Sequence, residues 1–237
     1  MDLIYEGKGK KVFQAQAEDQ VILFFKDDLT AFNALKKGSF ANKGELNCQI
    51  ATLIFKALEK NSIKTHFIET ISKNEMKVSK TKIIPLEVVV RNFSAGSFAQ
   101  KFQIKDGEKL SSPLVEFYYK DDGLKDPFVS EGQIAYFGWC SAADLILVKE
   151  QALKINTVMS QLFNQRGLKL IDFKVEFGKL SNGQIVLADE ISPDCMRLWD
   201  SKSGERLDKD RFRLDLGDVG DGYRRIYNEL VALQEAR

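Results

Sequence analysis

The stretch that most constrains this chain runs from Leu170 to Asp200, LIDFKVEFGKLSNGQIVLADEISPDCMRLWD. In its first half Asp172, Lys174 and Glu176 alternate with Ile171, Phe173, Val175 and Phe177. A strand turns successive side chains to opposite faces, so one face is predicted to be buried while the other carries acid, base, acid in a row. Asn182-Gly183 sits in a short polar connection with the composition of a hairpin turn. The returning run, Ile185 to Ala188, delivers Asp189 and Glu190 at its end. Adjacent antiparallel strands then hold Glu176 and Asp189 near each other, with Lys174 close by. Paired carboxylates beside a lysine suit a hard cation such as Mg2+ and the phosphates it carries. A solvated sheet face with ordinary charge alternation is the other reading, and this segment alone favours it.

Composition narrows the remaining classes. With 35 Lys+Arg against 34 Asp+Glu, no global field recruits nucleic acid or an anionic membrane, so any basic chemistry is local. An apolar share of 44% with only 4 Pro fits a chain folded throughout. No apolar run reaches the roughly 20 residues a bilayer-spanning helix needs, and the N-terminus lacks the order of a signal peptide, so the cytoplasm is expected. Cys48, Cys140 and Cys195 are odd in number and widely spaced, which speaks against a disulfide framework or a zinc knuckle. His66, the sole histidine, has no partner for a nucleophilic triad or a metal and is expected at a strand end or the surface.

Taken in order, YEGKGKKVF (Tyr5 to Phe13) has β-prone ends around Gly7-Lys8-Gly9-Lys10-Lys11. Glycines let backbone N–H groups approach an oxyanion and lysines supply charge, but the pattern is neither a Walker A sequence nor followed by an obvious helix, and the segment alone favours a basic hairpin tip. Val21 to Phe25 is predicted as a buried strand, Thr30 to Gly44 as loop, and Glu45 to Lys60 as an amphipathic helix. Phe67 to Ile71 and Met76 to Val78 read as short strands. Lys80 to Pro85 is predicted to link two lobes, 1–84 and 85–237, because Pro favours extended chain before it. The β-branched run Leu86 to Val90 ends in Arg91-Asn92 before the small residues Ser94 to Ser97. A guanidinium facing a helix start binds anions well, while a plain strand-to-helix connection with Ser94 as cap is the competing reading. Ser111 to Glu131 looks irregular and acidic; Ser141 opens a capping box before a long helix ended by Gly167. Arg197 to Asp200 is expected in a loop, Leu207 to Leu216 as a charged helix, and Tyr223 to Leu233 as a final amphipathic helix.

Together YEGKGKKVF, KGELN, IPLEVVVRNFSAGSF, the DPF at Asp126, IDFKVEFG, LADEISPDCMRLWD and DKDRFR span nearly the whole chain. In these pieces, their order and their spacing, the chain resembles the SAICAR synthetase family of purine biosynthesis. The resemblance implies an α+β, two-lobed fold, similar to ATP-grasp enzymes, with antiparallel sheets flanked by helices. It implies an ATP-dependent carbon–nitrogen ligase, using ATP and Mg2+, that condenses L-aspartate with 5-amino-1-(5-phosphoribosyl)imidazole-4-carboxylate through an acyl phosphate. The products are the succinocarboxamide, ADP and phosphate. A length of 237 residues suggests no fused carboxylase, and a homodimer is expected by analogy.

The same resemblance distributes roles. Lys8, Gly9 and Lys10 are expected to cradle ATP phosphates, with Val12 and Val21 against the adenine and Lys82, Ile83 and Glu87 completing its pocket. Glu176 and Asp189 would hold Mg2+, and Lys174 would neutralise charge during transfer. Arg91 and Ser97 are expected at the ribonucleotide phosphate, Arg197 and Arg213 at other anionic groups, and Asp172 and Glu45 as polar contacts. The loop around Asp126 is a candidate contributor to the aspartate site. Asn33 stands where several family members carry aspartate, which puts a charged role there in doubt.

Overall fold

The computed structural model describes residues 2–31 and 35–235, and Asn33 lies outside them. Three strands open the chain: β1 (Leu3–Glu6), β2 (Lys10–Gln14) and β3 (Gln20–Phe25). A small hairpin, β4 (Asp28–Ala31) and β5 (Lys36–Ser39), precedes α1 (Lys43–Lys60). Then β6 (Phe67–Ser72) and β7 (Glu75–Ser79) return to complete an antiparallel sheet of order β1-β2-β3-β7-β6. The second sheet begins with β8 (Lys82–Phe93), followed by α2 (Gly96–Phe102), β9 (Lys109–Tyr119), β10 (Phe128–Val129), α3 (Glu131–Phe137) and α4 (Ala142–Asn164). It closes with β11 (Leu168–Lys179), β12 (Ile185–Ala188) and β13 (Met196–Asp200), before the single turn α5 (Asp210–Arg213) and the helix α6 (Val219–Glu235).

β11 is the axis of this second sheet. β8 runs along one edge of it, while β12 pairs with its C-terminal half and β13 with its N-terminal half, all antiparallel. Flanked on both edges and covered by α4, β11 leaves almost no residue in solvent, and even Asp172 and Glu176 are 3% and 2% exposed. That burial excludes the solvated-face reading of its charge alternation. The stripe Leu145, Val148, Ala152, Ile155, Met159 and Leu162 of α4 is buried as its spacing predicts. One continuous core joins Leu23 and Phe25 of β3, Ile50 and Ile54 of α1, and Val88, Val175 and Phe177 of the second sheet.

Several expectations need correction. Thr30 to Gly44 is not all loop, because its polar residues form β4 and β5 by pairing with each other. Pro85 does not sit in a linker. It lies inside β8, opposite a register shift between Glu176 and Gly178 where the ladder can spare a donor. Ser111 to Tyr119 belongs to β9, whose pairing with β8 overrides an outward face rich in polar residues. Arg197 to Asp200 is strand, not loop, since β13 takes the free edge of β11. Leu207 to Leu216 keeps only the turn Asp210–Arg213. Ser94 caps nothing: its Oγ donates to Lys105 O at 2.5 Å and accepts from Glu108 N at 2.9 Å, pinning the loop after α2.

Candidate active site

Two adjoining cavities open between the sheets. The first encloses about 440 Å³. Its apolar end is made by Val12, Val21, Leu23, Val78 and Ile83, and its polar end by the Gly7-Lys8-Gly9 turn, Lys10, Lys120 and the β11–β12 hairpin. The turn forms because Gly7 N donates to Lys10 O at 2.8 Å, closing the β1–β2 hairpin. At Gly9 a side chain would meet nothing within 4 Å, so the main chain there faces open cleft.

Strand register explains the carboxylates. Glu176 on β11 lies opposite Ala188 on β12, which sets Asp189 one residue beyond. Asp189 turns the chain with φ +59°, a left-handed conformation that Asp tolerates better than most residues, and its main-chain oxygen contacts His66 Nε2 at 3.0 Å. Its carboxylate pairs with Lys10 Nζ at 2.7 Å, and Lys10 also meets Glu190. Lys174 Nζ donates to Glu176 Oε1 at 2.8 Å and to Glu87 Oε1 at 3.0 Å, while the other Glu176 oxygen takes Lys120. Burial opposes the charges of Lys10 and Lys174, but the neighbouring carboxylates outweigh it and hold both pKa values above the lysine norm. Burial likewise opposes the Asp189 charge, yet Lys10, Lys174 and Lys120 keep that carboxyl well below the usual range. The floor is therefore an interlocked set of ion pairs that favours the charged forms of Lys10, Lys174 and Asp189.

The second cavity, about 360 Å³, is lined by Lys8, Glu87, Arg91, Asp172, Lys174, Arg197 and Arg213 among others. Lys8, Glu87 and Lys174 are walls of both cavities. Asp172 lies opposite Arg91 on β8 and opposite Arg197 on β13, so one buried carboxylate sits between two guanidinium groups. Arg91 Nη1 donates to Asp172 at 2.7 Å and its Nε to Glu116 at 2.7 Å. Arg197 Nη1 reaches Asp172 at 2.9 Å, and Arg197 Nε and Arg213 Nη1 meet Asp210 at 2.7 Å and 2.6 Å. Gly96 (φ +56°) is required here, because a Cβ would stand 2.3 Å from Arg197 Nη2. Cys195 also lines this cavity, but burial pushes its thiol up to about 12, so it is not poised as a nucleophile.

The structure does not bring every predicted residue to these walls. Lys82 is exposed at the start of β8 and lines neither cavity, unlike Ile83 and Glu87. Ser97 is exposed on α2 and lines a separate cavity of about 630 Å³ with Phe98 and Phe128. Glu45 lies on α1 and pairs with Lys73 at 3.4 Å, outside both linings. Asp126 lines the first cavity beside Asp122. His66 does precede β6, but it is 3% exposed and lines the first cavity, which corrects its expected surface position. Lys120 was invisible in sequence, since nothing local in YYKDD marks a lysine that reaches Glu176 across the sheet.

With this geometry in place, comparison with known proteins is decisive. A family model described as SAICAR synthetase matches residues 3–230. The chain belongs to the SAICAR synthetase family. It is 48% identical over 230 residues to the phosphoribosylaminoimidazole-succinocarboxamide synthase of Finegoldia magna, covering 97% of this chain and 99% of that one. The Ehrlichia chaffeensis synthase structure superposes with a TM-score of 0.96 at 49% identity, covering 98% of this chain and 99% of that one. A SAICAR synthetase solved in complex with ADP superposes with a TM-score of 0.93 at 45% identity, covering 96% and 97% of the two chains. The α+β architecture of antiparallel sheets flanked by helices is thus the SAICAR synthetase fold.

Proposed function

We propose that the first cavity takes ATP and the second takes the imidazole ribonucleotide, so that their reacting ends meet at the shared wall of Lys8, Glu87 and Lys174. The chain is an ATP-dependent carbon–nitrogen ligase of purine biosynthesis, joining L-aspartate to the ribonucleotide carboxylate. The observation that carries the site assignment is that common wall. A phosphate donor in one cavity and a carboxylate in the other would both lie against Lys8, Glu87 and Lys174.

A carboxylate is a poor electrophile at neutral pH, so we assign an acyl phosphate as the intermediate. A carboxylate oxygen takes the γ-phosphoryl group and ADP leaves. The aspartate amine then attacks the acyl carbon, the C–O bond to phosphate breaks, and the amine proton passes to solvent. In this scheme Val12, Val21 and Ile83 pack against the adenine, while Lys8, Gly9 and Lys10 meet the phosphates. Lys174, already charged and held by Glu87 and Glu176, faces the bond being broken and offsets charge that builds there. Arg91 and Arg197, fixed by Asp172, take the ribonucleotide phosphate.

Glu176 and Asp189 suit Mg2+ by chemistry, both being carboxylates on the wall of the first cavity. Among the described residues no group of three or more His, Cys, Asp or Glu is arranged to cage a metal. That pattern fits Mg2+, which binds through one or two carboxylates plus substrate phosphates and would supply charge neutralisation to them. We further propose that residues 1–84 and 85–237 act as two lobes and that the protein works in the cytoplasm as a homodimer. Apolar side chains on α3 and α4, among them Tyr136 and Ile146, are exposed and available to such an interface. Among the described residues no helix is long and apolar enough to cross a membrane.

The test is ADP release with one substrate omitted at a time. Release that needs ribonucleotide and aspartate together supports the ligase scheme. Steady release with ribonucleotide alone would point to a kinase and overturn it.

A further inference from the structure

The cations lining the second cavity are not alike. Lys8 pairs with Asp122, Arg91 with Asp172 and Glu116, Lys174 with Glu87 and Glu176, Arg197 with Asp172 and Asp210, and Arg213 with Asp210. Lys209 lines the same cavity, and among the described residues its Nζ has neither an ion pair nor a hydrogen bond. Its nearest carboxylate influence, Asp194, is already spent. One Asp194 oxygen accepts from Lys43 at 2.5 Å and Asn47 at 3.0 Å, and the other from Tyr223 Oη at 2.7 Å. The Lys209 main chain, by contrast, is firmly placed: its N–H donates to Pro193 O at 3.2 Å, and its carbonyl accepts from Phe212 and Arg213 at 3.0 Å. A fixed backbone presents an unpaired ammonium to the cavity.

We propose that Lys209 captures a carboxylate of L-aspartate, with Arg213 beside it to meet the second. This rests on the assignment of the second cavity made above. The ribonucleotide's reacting carboxylate belongs at the shared wall, next to Lys8 and Lys174, because it must reach the ATP phosphate. Its 5′-phosphate belongs with the buried pair Arg91 and Arg197. The remaining cations of the cavity, Lys209 and Arg213, suit a dicarboxylate. Arg213 spends one donor on Asp210 and keeps the rest of its guanidinium fork. Burial, then Arg213 and Lys43, lowers the Lys209 pKa against the pull of Asp194, so an arriving anion relieves an uncompensated charge.

The experiment is steady-state kinetics of Lys209→Met and Lys209→Arg, varying ATP, ribonucleotide and L-aspartate separately. Loss of one charge-assisted hydrogen bond predicts an aspartate KM raised about tenfold to a hundredfold in Lys209→Met. The KM values for ATP and ribonucleotide should stay within about twofold, and Lys209→Arg should recover part of the loss. Because Lys209 Nζ bonds nothing among the described residues, both variants should melt close to the wild-type temperature, which separates this role from a structural one. An unchanged aspartate KM, or an increase confined to the ribonucleotide, overturns the proposal. If wild-type ADP release does not depend on aspartate at all, the underlying site assignment fails instead, and that result is visible without any variant.

Discussion

At the scale of single residues, the cleft stores its charges in pairs. Asp189 and Glu190 brace Lys10, and Glu176 braces Lys174 and also pairs with the exposed Lys120, so Lys10 and Lys174 stay charged in spite of burial. Asp189→Asn keeps the shape and removes one anion. Turnover is expected to fall about a hundredfold or more, a scale typical of losing one preorganised group at a charged centre. Thermal stability should change little, because Glu190 still holds Lys10; near wild-type turnover would take Asp189 out of the site. His66 supplies a second test. Burial lowers its pKa to about 4 from 6.5, against the opposing pull of Asp189. Between those values the unfolded chain binds a proton that the folded chain refuses, so stability rises with pH across that window and is lost as pH falls through it. The contribution is up to about 3 kcal/mol. Chemical denaturation from pH 4 to 7 should show a flatter pH profile for His66→Gln than for the wild type, and parallel profiles would refute the attribution.

At the scale of elements, local patterns were legible and distant pairings were not. The β11–β12 hairpin could be read in the sequence because its signals are local: alternation from Ile171 to Phe177 and a turn holding Asn182-Gly183. The stripes of α1 and α4 were legible for the same reason. β9 and β13 were not, since each is a strand only by virtue of a partner far away in sequence, β8 and β11 respectively. The ion chain Glu116–Arg91–Asp172–Arg197–Asp210 therefore appeared in sequence only as separate charges; it exists because β8 and β13 flank the same residue of β11. Gly44 marks another such junction. A Cβ there would meet Phe25 O at 2.2 Å, so α1 starts pressed against the end of β3. Gly44→Ala should cost about 1–3 kcal/mol by overpacking, read as a drop in the denaturant midpoint. An unchanged midpoint would mean that α1 can move away freely.

At the scale of the whole molecule, one continuous core ties both sheets to α1 and α4, and the first cavity draws its walls from both sheets. Since Mg2+ binds through one or two carboxylates plus substrate phosphates, Mg2+ alone should leave the melting temperature unmoved. ADP with Mg2+ should raise it, by about 2.7 kcal/mol of added stability when the nucleotide stands at about a hundredfold its Kd. A shift produced by Mg2+ alone, in differential scanning fluorimetry, would contradict this account of the metal. The wall shared by the two cavities bears on how the enzyme could be inhibited. A single ligand joining a nucleotide phosphate to an imidazole ribonucleotide would have its junction against the same three side chains. Once one half is seated, the other is held at an effective concentration on the order of millimolar, so two modest affinities combine into one strong one. The three side chains common to both cavities are thus also an opening for bisubstrate chemistry.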